Sequence, residues 1–156
     1  MVGAALDIAT LSAGLIADGI HVHPATIAAA LRGKRGPGRI FLVTDAMATI
    51  GTDMTSFTLN GRTIRREGGR LTLEDGTLAG ADLDMISAVR FMHETIGLPL
   101  GEALRMASLY PAESLGPSQR YGSFVKGARA DIVHLSEQVE VRSVWIGGRT
   151  AFSVEA

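Results

Sequence analysis

The stretch "RIFLVTDAMATIG", residues 39–51, decides how the chain folds. Ile40, Phe41, Leu42 and Val43 form an unbroken apolar run that stops at Thr44-Asp45-Ala46. Such a run is what a strand buried on both faces of a parallel sheet requires. Working outward, "GPG" at 36–38 breaks whatever precedes the run. Upstream of the break, "PATIAAALRGK" (24–34) opens on Pro24, a favoured first-turn residue, and sets Ile27, Ala30 and Leu31 on one face of a short helix. Before that, "SAGLIADGIHV" (12–22) predicts a strand running into a turn. Strand, helix and strand together predict a βαβ unit. Asp45 then falls at the carboxyl end of a parallel strand, where α/β barrels keep catalytic groups. Aspartate also ends strands simply because it favours turns, and the pattern alone leaves both readings open.

Composition narrows the function classes. A chain of 156 residues is long enough to bury the core of one ordinary domain. Its 46% hydrophobic content and mean hydropathy of +0.22 are on the apolar side for a soluble protein, so some surface is expected to pack against something else. No apolar run approaches the roughly 20 residues of a membrane span. The N-terminus lacks a signal-peptide pattern, and the absence of cysteine fits a cytoplasmic location and excludes thiolate metal sites. A net charge of −1 with interspersed signs gives no nucleic-acid footprint. The basic clusters "GKRGPGR" (33–39) and "RTIRREGGR" (62–70) are broken by glycine and read first as solvated turns, with anion contacts second.

Beyond Asp45 the texture changes. "SFTLNGRTIRREGGRLTLEDGTLAG" (56–80) alternates apolar and polar residues between Asn-Gly, Gly-Gly and Asp-Gly pairs, which are hairpin signals. "LDMISAVRFMHETIG" (83–97) predicts a helix capped by Asp82 or Asp84, with Met85, Val89, Met92 and Ile96 along one face. "LGEALRMASLYPAESLG" (100–116) predicts a helix up to Tyr110, interrupted by Pro111, and the tail reads as strands and tight turns.

Other groupings also bear on chemistry. His21 and His23, two apart, would share a face of an extended strand and could chelate a metal. The alternative has one of them facing a pocket and the other packing beside Pro24. His93 lies among apolar helix neighbours and His134 inside "DIVHL", so neither supplies a third ligand, and no complete metal site is expected in this chain. "EDGTLAGADLDM" (74–85) combines a turn, glycines and a helix start; it suits an anion or a sugar hydroxyl, or is simply a hairpin and a cap.

Taken together, "GLIADGIHVHPATI", "LVTDAMATIGT", "DGTLAGADLDM" and "MASLYPAESLG…GSFVKGARADIVHL…VWIGG" resemble, in order and over essentially the whole chain, the N-acetylglucosamine-6-phosphate deacetylases of the amidohydrolase superfamily. "PAESLG…G…ADIV" is shared across many amidohydrolases, whereas "ADGIHVHP" and "LVTDAMA" are deacetylase-like. The resemblance implies an α/β fold. The chain would be the carboxyl-terminal part of a metal-dependent hydrolase TIM barrel, its last two βα units, with an inserted β-hairpin and the tail of a small β-sandwich. The corresponding divisions are 1–55 for the last barrel strands and helix with the catalytic Asp, 56–80 for the hairpin and substrate loop, 81–120 for closing helices and 121–156 for the sandwich tail.

The resemblance also implies an activity: hydrolysis of N-acetylglucosamine 6-phosphate to glucosamine 6-phosphate and acetate, using a divalent metal, commonly zinc. Asp45 matches the family's catalytic aspartate and His21 its substrate-binding histidine. Asp18, Gly19 and Ile20 form the adjoining wall, and Leu78, Ala79 and Gly80 match a loop that closes over the sugar. His23 stands where the family tolerates other residues, which removes the chelating pair. The family's metal ligands, a glutamate and two histidines, and its phosphate-binding arginine would lie upstream of Met1. The chain therefore reads as a truncated portion, inactive alone, of an enzyme that is a homodimer when complete. Ala81, Asp82 and Asp84 replace the small hydroxyl residues that family members often carry there. Two rival readings are a non-catalytic, self-associating remnant and an amidohydrolase acting on another cyclic amide.

Overall fold

The computed structural model describes residues 1–116 and 118–154. Its organising element is a parallel pair. β1 (Ala13–Ile16) lies beside β2 (Ile40–Val43) in the register Ala13↔Ile40 to Ile16↔Val43, and α2 (Pro24–Gly33) connects them. The expected βαβ unit is therefore present. As expected for 12–22, the strand runs into a turn, with bends from Asp18 to Val22. β2 buries one face through Ile40 and Leu42 and leaves Phe41 and Val43 half-covered, so the expectation of burial on both faces holds for only one. A short helix, α1 (Val2–Asp7), precedes β1 and is tied to the turn after α2, where the Arg35 N–H donates to the Leu6 carbonyl at 3.0 Å.

Segment 56–81 is more than a hairpin. β3 (Ser56–Leu59), β4 (Arg62–Glu67), β5 (Arg70–Thr72) and β6 (Leu78–Ala81) form a four-stranded antiparallel sheet in sequence order. Its first two turns are Asn60-Gly61 (φ 52° and 75°) and Gly68-Gly69 (φ 58° and 76°). Both turns need positive φ at two successive residues, which explains those residue types. The "RTIRREGGR" cluster is therefore strand β4 and a tight turn, not a run of solvated turns. Leu78, Ala79 and Gly80, expected on a loop, lie on β6.

The helices follow. Asp84 caps α3 (Met85–Arg90) by accepting from the Ser87 N–H at 2.7 Å, which decides between the two proposed caps. A π-helical turn, Phe91–Thr95, continues the helix and seats Met92 in the core. α4 (Leu100–Ala107) ends at Ser108, and α5 (Leu109–Leu115) starts immediately after. The interruption is at Ser108, not Pro111. Pro111 lies in the first turn of α5, where its missing N–H is not required. β7 (Ile132–Leu135), β8 (Val141–Ile146) and β9 (Arg149–Ser153) close the chain as a three-stranded antiparallel sheet.

One core runs between β2 and the helices. Ile27, Leu42, Ala81, Leu83, Val89, Met92, Ala103 and Met106 are buried together. Each of the isoleucine, leucine, valine and methionine side chains contributes about 1.5–3 kcal/mol by leaving water. The tail sheet shares little of this burial: all five residues of β9 are exposed, as is Phe124.

Candidate functional site at the carboxyl end of the parallel pair

Because Ile16 pairs with Val43, the segments leaving β1 and β2 emerge from the same edge of the parallel pair. The first carries Asp18, Gly19, Ile20 and His21; the second carries Asp45.

The Asp18 turn is a closed unit. Its Oδ1 accepts from the Ile20 and His21 N–H groups at 2.8 and 2.9 Å, and its Oδ2 meets His21 Nδ1 at 2.6 Å. Burial pushes the Asp18 carboxyl up, but the His21 side chain and the Ile20 and His21 backbone N–H groups outweigh it and hold the pKa below the usual carboxylate value. An ionised carboxylate only accepts, so the shared proton sits on Nδ1. The other ring nitrogen of His21, Nε2, is then left for a ligand. Gly19 has φ +73°, and a Cβ there would come within 2.9 Å of the Phe91 ring, so both backbone and space require glycine.

Asp45 is exposed and has φ +53°, in the left-handed region. For an L-residue that conformation costs about 1–2 kcal/mol. Aspartate tolerates it better than most, and it persists where surrounding structure over-determines it. Here β6 supplies that structure. The Ala81 N–H donates to the Asp45 carbonyl at 3.0 Å, and Ala46 and Ala81 form a parallel bridge. A Cβ on Gly80 would lie 2.7 Å from Met47 Sδ and 3.1 Å from the Asp45 carbonyl, so glycine allows this approach. Ile20 in turn lies beside the β4–β5 turn, where a Cβ on Gly69 would be 3.7 Å from its Cδ1. The structure thus gathers two of the three sequence-predicted segments directly, residue 45 and residues 78–80. It brings the third, 18–21, out at the same sheet edge.

His23 does not join them. Its Nδ1 accepts from the Ala25 N–H at 3.2 Å and caps α2, and the segment carrying both histidines is a turn, so the shared-face geometry behind a chelating pair is absent. The His93 Nδ1–H donates to the Leu98 carbonyl at 2.7 Å, and His134 is exposed on β7. Among the described residues no three His, Asp or Glu side chains converge as a metal cage requires. Amidohydrolases are in general metal-dependent, and the donor set present here does not hold a metal by itself.

Sequence reasoning missed Arg66. Its Nε donates to Asp82 Oδ2 at 2.7 Å, and its Nη1 donates to the Thr52 and Thr49 carbonyls at 2.6 and 3.3 Å. The signal was weak: Arg66 stands in a basic cluster, and Asp82 is sixteen residues away.

Comparison with known proteins shows the family. The Amidohydrolase family profile matches residues 3–151. An N-acetylgalactosamine-6-phosphate deacetylase of Shewanella sp. (strain ANA-3) is 41% identical over 99% of this chain, which covers 39% of that relative. A putative N-acetylgalactosamine-6-phosphate deacetylase of Escherichia coli (strain K12) is 40% identical over 97% of this chain, which covers 89% of that protein. Among solved structures, N-acetylglucosamine-6-phosphate deacetylase from Pasteurella multocida superimposes with a TM-score of 0.89 at 33% identity, over 95% of this chain and 38% of that one. The chain thus spans about two fifths of the Shewanella relative and most of the Escherichia coli one. With the profile covering nearly its whole length, the chain belongs to the amidohydrolase family.

Proposed function

We propose that this chain is the carboxyl-terminal, proton-handling part of a deacetylase that hydrolyses N-acetylglucosamine 6-phosphate to glucosamine 6-phosphate and acetate. The observation that carries the reading is Asp45, exposed just beyond β2 in a left-handed conformation, with Gly80 and Ala81 packed on its backbone. Amide carbonyls are sluggish electrophiles and amines poor leaving groups, so a positioned base that becomes an acid answers both difficulties. Asp45 takes a proton from the attacking water and gives it to the departing nitrogen. His21, held by Asp18 through Nδ1, presents Nε2 to the substrate.

In this reading β1, α2 and β2 belong to the last βα units of a TIM barrel, and β7–β9 are the tail of a β-sandwich. The divalent metal that the resemblance implies takes its ligands from residues outside this chain, and the complete enzyme is a cytoplasmic homodimer. No helix described is long and apolar enough to cross a membrane.

A second reading, the galacto epimer as preferred substrate, is favoured by the names of the 41% and 40% identical relatives against the 33% identical structure. Acetate release from the two N-acetylhexosamine 6-phosphates, measured on the protein as its gene encodes it, tests both. A kcat/KM ratio above about 10 either way, 1.4 kcal/mol of discrimination, assigns the epimer. No acetate from either would overturn the deacetylase reading and leave the non-catalytic remnant and the amidohydrolase of another cyclic amide.

A further inference from the structure

We infer that the Arg66–Asp82 pair is a positioning brace that holds Asp45 in its left-handed conformation; this rests on the reading of Asp45 as the proton-transfer residue. The ties form a ring. From Asp45 the chain runs through Thr49 and Thr52, whose carbonyls are both bound by Arg66 Nη1. The Arg66 Nε binds Asp82. Asp82 follows Ala81, whose N–H returns to the Asp45 carbonyl. Both sides of the loop are thereby fixed to the β3–β6 sheet, one through a guanidinium and one through the backbone.

Other ties hold the two ends of the loop: Ala46 bridges to Ala81, and the Arg66 N–H donates to the Thr55 carbonyl at 2.8 Å. Its internal backbone bonds include Ile50 N–H to Met47 and Thr52 N–H to Thr49, which are local turns that do not set its position against the sheet. Arg66 does set it, because a planar guanidinium can serve a carboxylate and two carbonyls at once while a lysine ammonium cannot hold the same fork. The pair is mostly shielded, with side-chain exposures of 29% for Arg66 and 13% for Asp82. The second oxygen of Asp82, Oδ1, is buried and has no partner among the described residues. Asp82 is therefore held through Arg66, and deleting the guanidinium outright would leave a nearly buried carboxylate uncompensated. Two variants avoid that difficulty: Arg66→Lys, which keeps a cation near Asp82 but gives up the carbonyl clamp, and the neutral pair Arg66→Gln/Asp82→Asn.

The experiment reads kcat, KM and amide hydrogen exchange on the protein as its gene encodes it, beside Asp45→Asn. In Arg66→Lys we expect kcat to fall about 10- to 100-fold with KM within about twofold, since a misplaced catalytic group loses rate before affinity. Exchange at the Ala81 and Thr52 amides should rise at least about tenfold while the amides of β7–β9 are unmoved. The neutral pair should behave alike. Unchanged Ala81 and Thr52 exchange would overturn the brace, and so, where Asp45→Asn is inactive, would an unchanged kcat or a change confined to KM. The two readings fail separately. If Asp45→Asn keeps turnover while the Ala81 amide responds to Arg66→Lys, the brace stands and the catalytic role falls. If Asp45→Asn is inactive and Arg66→Lys changes nothing, the reverse holds.

Discussion

Arg39, one residue before β2, and Asp45, two residues after it, stand at opposite ends of one strand and are treated differently. At the first end the polar groups satisfy one another. The Arg39 guanidinium lies 4.9 Å from the centroid of the Tyr110 ring, the Tyr110 hydroxyl donates to Glu102 at 2.7 Å, and Glu102 pairs with Arg105 at 2.7 Å. At the other end Asp45 has its backbone held and its carboxylate free of bonds to the described residues. A closed network contributes stability; in the proposed reading, the fixed backbone under the unengaged Asp45 carboxylate serves the reaction. In parallel α/β structures chemistry gathers at the carboxyl ends of strands, and this difference between ends is how that rule looks in one strand.

The largest expected effect tests that division directly. Asp45→Asn should lower kcat by about 10²- to 10⁴-fold, the usual worth of a positioned acid–base group, with the melting temperature essentially unchanged. Near-normal turnover would erase the distinction between the ends.

Next in size is His21→Ala, which removes Nε2 and the Nδ1 partner of Asp18 Oδ2 while leaving Oδ1 with the Ile20 and His21 backbone N–H groups. KM should rise about tenfold, the value of one lost substrate hydrogen bond. A variant that melts early with unaltered KM would make His21 a structural plug for Asp18 instead.

At the opposite end, Tyr110→Phe keeps the ring under Arg39 and removes the donor to Glu102. Stability should fall by about 1 kcal/mol, read from denaturant midpoints, with kcat and KM unmoved. A loss of activity there would mean that the two ends are coupled.

How much of this was visible in the chain itself depends on distance along it. The Asn60-Gly61 and Gly68-Gly69 turns, the Pro24 helix start and the Asp84 cap are local events, and adjacent residues announce them. The end of α4 was misplaced because proline is a strong breaker in a helix interior but harmless in a first turn, and which of these Pro111 meets depends on how Ser108 is packed. The loop expected at Leu78–Gly80 came from the resemblance, while the residue pattern puts the segment at the end of an alternating hairpin stretch. It becomes a strand only by pairing with β5 and bridging to Ala46. Asp45 was singled out by its place after an apolar run together with resemblance. Arg66 was not, since a pair sixteen residues apart leaves no trace in either local pattern.

The smallest expected effect lies in acid and sharpens the contrast from the side of Asp18. Its carboxyl is held below the ordinary value when folded, so the folded state binds this proton less readily than the unfolded one. The stability Asp18 contributes is therefore fully present above the ordinary carboxylate pKa of about 4 and is lost as pH falls through the depressed folded value. Glu102 is also depressed: its partial burial raises the pKa, and its bonds to Tyr110 and Arg105 more than reverse this. Both ends of the strand thus weaken in acid, and the two must be separated by mutation. Asp18→Asn should flatten part of the acid limb of the melting curve and, by removing the carboxylate that fixes the Nδ1 proton, also raise KM at neutral pH. Glu102→Gln should flatten the acid limb without touching KM. If both variants moved KM, or neither did, the carboxyl end of the strand would lose its claim to be the functional one on this measure.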